Sequence, residues 1–180
     1  DLGTVIETTV IRPLQQVDGS QYFYPRNSLH LTIQNVRSPH DPAAFSDADI
    51  GRAREAFRGV VAGHRPFRIE LRGLLELPVS ISIRGYSDES LQKLVLDLRQ
   101  ALIRAGVPDD KKYASEDVFF GNVNVCRFTH QPSAGFFDVV RSLKNHPIGT
   151  VEIREIALVA TRPVCHPAVT KGIERVVLGT

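Results

Sequence analysis

Two hydrophobic periods run along this chain. Stretches in which every second residue is apolar read as strands with one buried face, and apolar residues three and four apart read as helices. Ser28 to Ile33 is of the first kind, with Leu29, Leu31 and Ile33 alternating against His30, Thr32 and Gln34. Phe67 to Leu75 sets Phe67, Ile69 and Leu71 against Arg68, Glu70 and Arg72, and Pro78 to Arg84 puts Val79, Ile81 and Ile83 on one face. Val118 to Thr129, Thr150 to Thr161 and Ile173 to Leu178 read as further strands, the second with a phase change near Glu155 that predicts a bulge. Thr4 to Arg12 is rich in β-branched residues and, stopped by Pro13, also reads as a strand.

Helical spacing appears three times. Ile50, Ala53, Phe57, Val60 and Val61 follow Ser46, which can cap a helix with Asp49 three residues on, and the pattern runs to Gly63. Leu91, Leu94, Val95, Leu98, Ala101, Leu102 and Ala105 form the strongest stripe, opened by Ser87 or Asp88 and closed by Gly106 with Pro108 beyond. A shorter helix from Ser133 to Asn145 carries Phe136, Phe137, Val140 and Leu143. Gln15 to Arg26 reads as a loop with the cluster Tyr22-Phe23-Tyr24, Pro39 to Phe45 as a connector and Pro108 to Asp117 as a charged loop. The order strand, helix, charged alternating strand follows His30 and recurs after Asn122. That repetition predicts an α+β fold: two pseudo-symmetric lobes of antiparallel sheet with outer helices, arranged around a central cleft.

Composition narrows this picture without redirecting it. The 180 residues are 42% hydrophobic and 23% charged, enough for one domain over 1–180 made of two lobes. A net charge of +2 permits a nucleic-acid partner without arguing for one, because no concentrated basic stripe is present. No run of 18 apolar residues and no basic-then-apolar leader occur, so no membrane partner is expected. Two cysteines, Cys126 and Cys165, are too few for a disulfide framework, and a cytoplasmic setting and a monomer are expected. The chain has no Met, so Asp1 is expected to be a trimmed or partial start.

The candidate chemistry sits on the Ser28–Ile33 stretch. In a strand, His30 and Thr32 project to the same side roughly 7 Å apart, and an imidazole beside a hydroxyl can hold a phosphate and move a proton. Taken alone, this stretch is more simply read as an amphipathic strand with its polar side in water. A second strand, with Asn122 lying 92 residues after His30, looks like its partner. Other histidines offer less. His130 would have to fold back through the Gln131-Pro132 turn to stand in near Asn122, and His40, His64, His146 and His166 read as loop positions. Cys165-His166 lacks zinc-ligand spacing, and no phosphate-loop motif is present, so no metal or cofactor is expected. Tyr22, Tyr24, Arg26, Tyr86 and Arg127 are candidate rim contacts that can stack a base or pair with a phosphate, with core packing the competing job for the aromatics.

The run Tyr22-Phe23-Tyr24-Pro25-Arg26-Asn27-Ser28-Leu29-His30-Leu31-Thr32-Ile33 resembles the first motif of the 2H phosphoesterase superfamily, which includes 2′-5′ RNA ligase and cyclic phosphodiesterase enzymes. The resemblance extends over nearly the whole chain through the helix near 47–62, the hairpin near 67–84 and the helix at 88–105. It implies two His-x-Thr/Ser motifs facing one cleft and a nucleotide or RNA end with a phosphate as the partner; with no carboxylate cluster and no Cys/His set at these positions, metal-independent chemistry is expected. Gly121-Asn122-Val123-Asn124-Val125-Cys126-Arg127 is similar to the second motif in register, with Arg127 matching. Asn122 stands where that family has its second histidine and Asn124 where it has Thr or Ser. In the family's chemistry one histidine deprotonates water and the other protonates the leaving hydroxyl, each such group being worth ~10²–10⁴-fold. An asparagine amide only hydrogen-bonds. Three readings follow: a hydrolase with impaired or altered activity, a non-catalytic nucleotide- or RNA-end-binding protein, and a protein-interaction domain on the same fold.

Overall fold

The computed structural model describes residues 1–38, 42, 45–107, 118–162 and 165–179. The charged loop expected over Pro108–Asp117, His40 and most of the connector before Ser46 lie outside the described residues. The chain divides into two compact units, one of residues 1–32, 69–86 and 120–151, the other of 33–68, 87–119 and 152–180.

The first unit opens with a correction. Residues expected as a strand over Thr4–Arg12 form helix α1 (Leu2–Ile6), a π-helical turn (Glu7–Ile11) and helix α2 (Arg12–Val17). Asp1 caps the start, its carboxylate accepting from the Thr4 N–H at 3.1 Å. Ile6, Val10, Ile11 and Leu14 are buried, a helical stripe that tertiary packing selects over the strand propensity of the β-branched run. Pro13 explains the π turn. It has no N–H to donate and its ring crowds the preceding turn, and the helix widens just before it, with the Arg12 N–H reaching the Glu7 carbonyl.

Strand β1 (Tyr22–Phe23) follows inside the stretch expected as a loop. Strands β2 (Phe67–Leu77), β3 (Ser80–Tyr86), β4 (Gly121–Arg127) and β5 (Pro147–Ile153) join it in one sheet of order β1-β4-β3-β2-β5, with β2–β3, β3–β4 and β1–β4 antiparallel. Helix α5 (Ala134–Ser142) packs against α2, and Phe128, Phe136 and Phe137 meet edge to face at 6.0–6.2 Å. Ile69, Leu71, Ile81, Ile83, Val125 and Phe136 are all buried.

The second unit is built on two helices that match their sequence patterns. Helix α3 (Asp47–Val61) has the Ser46/Asp49 capping box, and helix α4 (Glu89–Arg104) is capped by Asp88 and buries Leu91, Leu94, Val95, Leu98 and Leu102. They pack on each other, and α3 packs on a separate antiparallel pair, β6 (Glu155–Ala160) and β7 (Lys171–Val177). The single strand expected over Thr150–Thr161 is thus two strands in two sheets, broken at Arg154. Among the described residues no helix is long and apolar enough to cross a membrane.

Candidate functional site on the first unit's sheet

Ser28–Ile33 is not a regular strand. It follows a 3₁₀ turn (Arg26–Ser28) and touches the sheet through one antiparallel bridge, Thr32 to Asn122. The Thr32 N–H donates to the Asn122 carbonyl at 2.8 Å, and the Asn122 N–H donates to the Thr32 carbonyl at 3.1 Å. Residues that exchange both bonds in this way carry their side chains on the same face. The two stretches singled out by sequence are therefore side by side on one sheet, not on facing strands of separate lobes. Leu31 sets the phase. A Cβ on Gly121 or Gly85, which pair across β4 and β3, would lie 3.0–3.3 Å from its side chain. The bare glycines leave room for Leu31 on the apolar face, and Thr32 leaves by the other face beside Asn122.

The polar face is extended by register. Arg84 pairs with Asn122, Ser82 with Asn124 and Ser80 with Arg127. Strict alternation would put Arg127 on the opposite face from Asn122 and Asn124. A bulge corrects this: Ile81 pairs with Cys126 and Ser82 with Asn124, leaving Val125 as the extra residue. Tyr22 pairs with Arg127 in turn. One face thus carries Thr32, Asn122 and Arg84 in one row, Asn124 and Ser82 in the next, and Tyr22, Arg127 and Ser80 in a third.

The local bonds define what each group offers. The His30 Nδ1 lies 2.8 Å from the Ser28 carbonyl, which only accepts, so Nδ1 carries the proton and Nε2 is the basic nitrogen. Ser82, 0% exposed, donates to Asn124 Oδ1 at 2.6 Å, which orients the Asn124 NH₂ as the outward donor. The Asn122 amide and the Thr32 hydroxyl make no side-chain hydrogen bond among the described residues. Arg84 Nη2 donates to the Lys144 carbonyl at 2.6 Å, and the guanidinium lies 5.8 Å from the Tyr86 ring centre, with Arg72 at 5.0 Å. Arg84 Nε and Tyr22 Oη are buried with no hydrogen-bond partner.

Gly73 makes the Arg84 anchor possible. It has φ +72° in a β2 irregularity, and a Cβ there would sit 2.0 Å from the Lys144 carbonyl oxygen.

The rim candidates separate. Tyr86 and Arg127 lie on β3 and β4 near these rows, whereas Tyr24 is 2% exposed and edge-on to Tyr22 at 5.3 Å, and Arg26 is ion-paired with Asp1. His130 is engaged elsewhere: Nε2 is 3.0 Å from Asp18 and Nδ1 is 3.0 Å from the Thr129 hydroxyl. Cys126 is buried, and burial pushes its thiol up to about 12, with Asp18 adding to the shift, so it is not a nucleophile near neutral pH. Among the described residues no group of three His, Cys, Asp or Glu could hold a metal ion. Arg84 was missed by the sequence reading. Its signal was present in the polar phase of Ser80, Ser82 and Arg84, opposite the Ile81/Ile83 face.

No protein-family model matches the sequence, and comparison with curated proteins finds no match. Solved structures do match, over nearly the full length. The chain is similar to TT0787 of Thermus thermophilus with a TM-score of 0.69 at 16% identity, covering 98% of this chain and 91% of that one. It is similar to a phosphoesterase with a TM-score of 0.62 at 12% identity, covering 99% and 94%. It is also similar to E. coli LigT, solved with ATP, with a TM-score of 0.60 at 14% identity, covering 99% and 93%. At these identities the likeness establishes the fold and leaves the activity to the site. The chain has an α+β, LigT-like fold.

Proposed function

We propose that the polar face of the first unit's sheet binds a phosphate-bearing nucleotide or RNA end and acts on it as an impaired 2H phosphoesterase with one proton-transfer group. The observation that carries this reading is the Thr32–Asn122 bridge, which sets the two motif stretches next to each other on one face. Continuing its register by two residues would bring His30 level with Asn124. E. coli LigT has been solved with ATP, NADP+ and 3′-AMP, which supports a nucleotide as the ligand class. We take the two units as the two lobes of one such domain over residues 1–180.

In this reading His30 Nε2 takes the proton from an attacking water. The Thr32 hydroxyl and the NH₂ groups of Asn122 and Asn124 donate to the phosphate oxygens, where charge grows as the water adds. Breaking the ester bond leaves an alkoxide that Asn122 cannot protonate, so the leaving oxygen takes its proton from solvent. The missing acid is worth ~10²–10⁴-fold.

The test is hydrolysis of a 2′,3′-cyclic nucleotide in excess chelator. Slow turnover that survives the chelator and disappears in His30→Ala is expected. Turnover that is lost in chelator and restored by Mg²⁺ or Zn²⁺ would overturn the metal-independent mechanism. Binding without turnover, in the parent and in His30→Ala alike, would favour the binding-only reading, which the two amides in place of His and Thr support.

A further inference from the structure

We infer that Arg84 is the cationic anchor of this site, holding the substrate phosphate where the second-motif histidine would otherwise supply positive charge. The inference rests on the reading above and adds a residue outside both motifs. Arg84 is the register partner of Asn122 on the neighbouring strand, so its side chain leaves the same face beside the amide.

Three observations, taken together, point to it. Arg72 shares its charge with Glu70 at 3.6 Å and Arg26 is paired with Asp1, while Arg84 has no carboxylate partner among the described residues. Its Nε–H is buried with no acceptor, a donor left without a bond in a half-buried cation. Its Nη2 is fixed by the Lys144 carbonyl and its plane lies near Tyr86, so the group is already oriented. An unpaired, half-buried guanidinium is unfavourable unless an anion completes it, and phosphate oxygens suit its fork. Asn122 then contributes a neutral donor on one side of the phosphate and Arg84 the charge on the other. The site would keep phosphate affinity while lacking an acid, because a guanidinium does not release its proton near neutral pH.

The probes are 3′-AMP and adenosine, which differ by the phosphate. Wild-type protein is expected to bind 3′-AMP more tightly than adenosine. Arg84→Gln should weaken 3′-AMP about tenfold or more, the scale of a hydrogen bond to a charged group, and leave adenosine unchanged. Arg84→Lys, which keeps the charge without the fork, should fall between. Should Arg84→Gln fail to fold, the wild-type protein still reports: the Arg84 Nε–H resonance is expected to shift on adding 3′-AMP and not on adding adenosine. If the wild type does not discriminate the two probes, the functional reading falls and this inference with it. If it discriminates but Arg84→Gln binds 3′-AMP equally well, or the Nε–H resonance stays put, the inference alone is overturned.

Discussion

At the scale of single residues, the candidate site sets one histidine beside a group of neutral donors. His30 is held in one tautomer by the Ser28 carbonyl, and Asn124 is oriented by Ser82. In the proposed reading these surroundings serve one proton transfer, and an amide stands at the second base–acid position. Asn122→His with Asn124→Thr should raise 2′,3′-cyclic nucleotide hydrolysis on the order of 10²-fold, the low end of what one acid–base group contributes. Adding His30→Ala to that variant should remove the gain, because one imidazole cannot serve both proton transfers well. A folded double variant no faster than the parent would mean that the second stretch has diverged in more than side chains. That Thr32, Asn122 and Asn124 share a face was legible, because alternation sets which side chains do so. The side of Arg127 was not, since it depends on the bulge at Val125, and one extra residue inside a short strand leaves no mark of its own in the sequence.

At the scale of elements, the same limit explains which spans were misread. Helices α3 and α4 were legible because cap, stripe and stop agree at Ser46/Asp49 and at Asp88/Gly106. The N-terminal helix was not, because β-branched propensity and a proline both argued for a strand while burial of Ile6, Val10, Ile11 and Leu14 decided for a helix. The division of Thr150–Thr161 between two sheets was read as a bulge, since a phase change looks the same in sequence whether the strand bends or ends. One element-level prediction follows from the loop that fixes Arg84. Gly73→Ala places a methyl 2.0 Å from a backbone carbonyl at a φ that L side chains rarely adopt. A loss of roughly 1–3 kcal/mol is expected in urea unfolding. Because the Lys144 carbonyl that anchors Arg84 must move, 3′-AMP affinity should fall while adenosine affinity holds. A stability matching wild type would show that the turn relaxes without strain.

At the scale of the whole molecule, stability must respond to acid through carboxylates that the fold keeps ionised. Asp18 is the clearest. Its carboxylate accepts from Ser20 Oγ at 2.6 Å and Gln21 Nε2 at 2.8 Å, while Gln21 Oε1 accepts from the Thr129 N–H at 2.9 Å. The network ties the turn after α2 to the turn after β4, more than a hundred residues apart in sequence. These bonds, led by Ser20, lower the Asp18 carboxyl from 3.8 to about 2. A carboxyl with a depressed folded value stabilises the fold fully above its unfolded value, and the contribution is lost as pH falls through the folded one. For Asp18 that window runs from about pH 4 down to about pH 2. Asp18→Asn removes the titration while keeping a side chain of the same shape. The gap between the wild-type and variant unfolding midpoints should therefore narrow as pH drops from about 4 toward 2. Asp49, Asp88 and Asp97 are also lowered, but they titrate in both proteins and cancel in the difference. A gap that stays the same through the acid range would show that the Ser20 and Gln21 bonds do not favour the ionised carboxylate, and that the two turns are tied by bonds that do not depend on its charge, such as Gln21 to Thr129 and Thr129 to the Ser20 carbonyl.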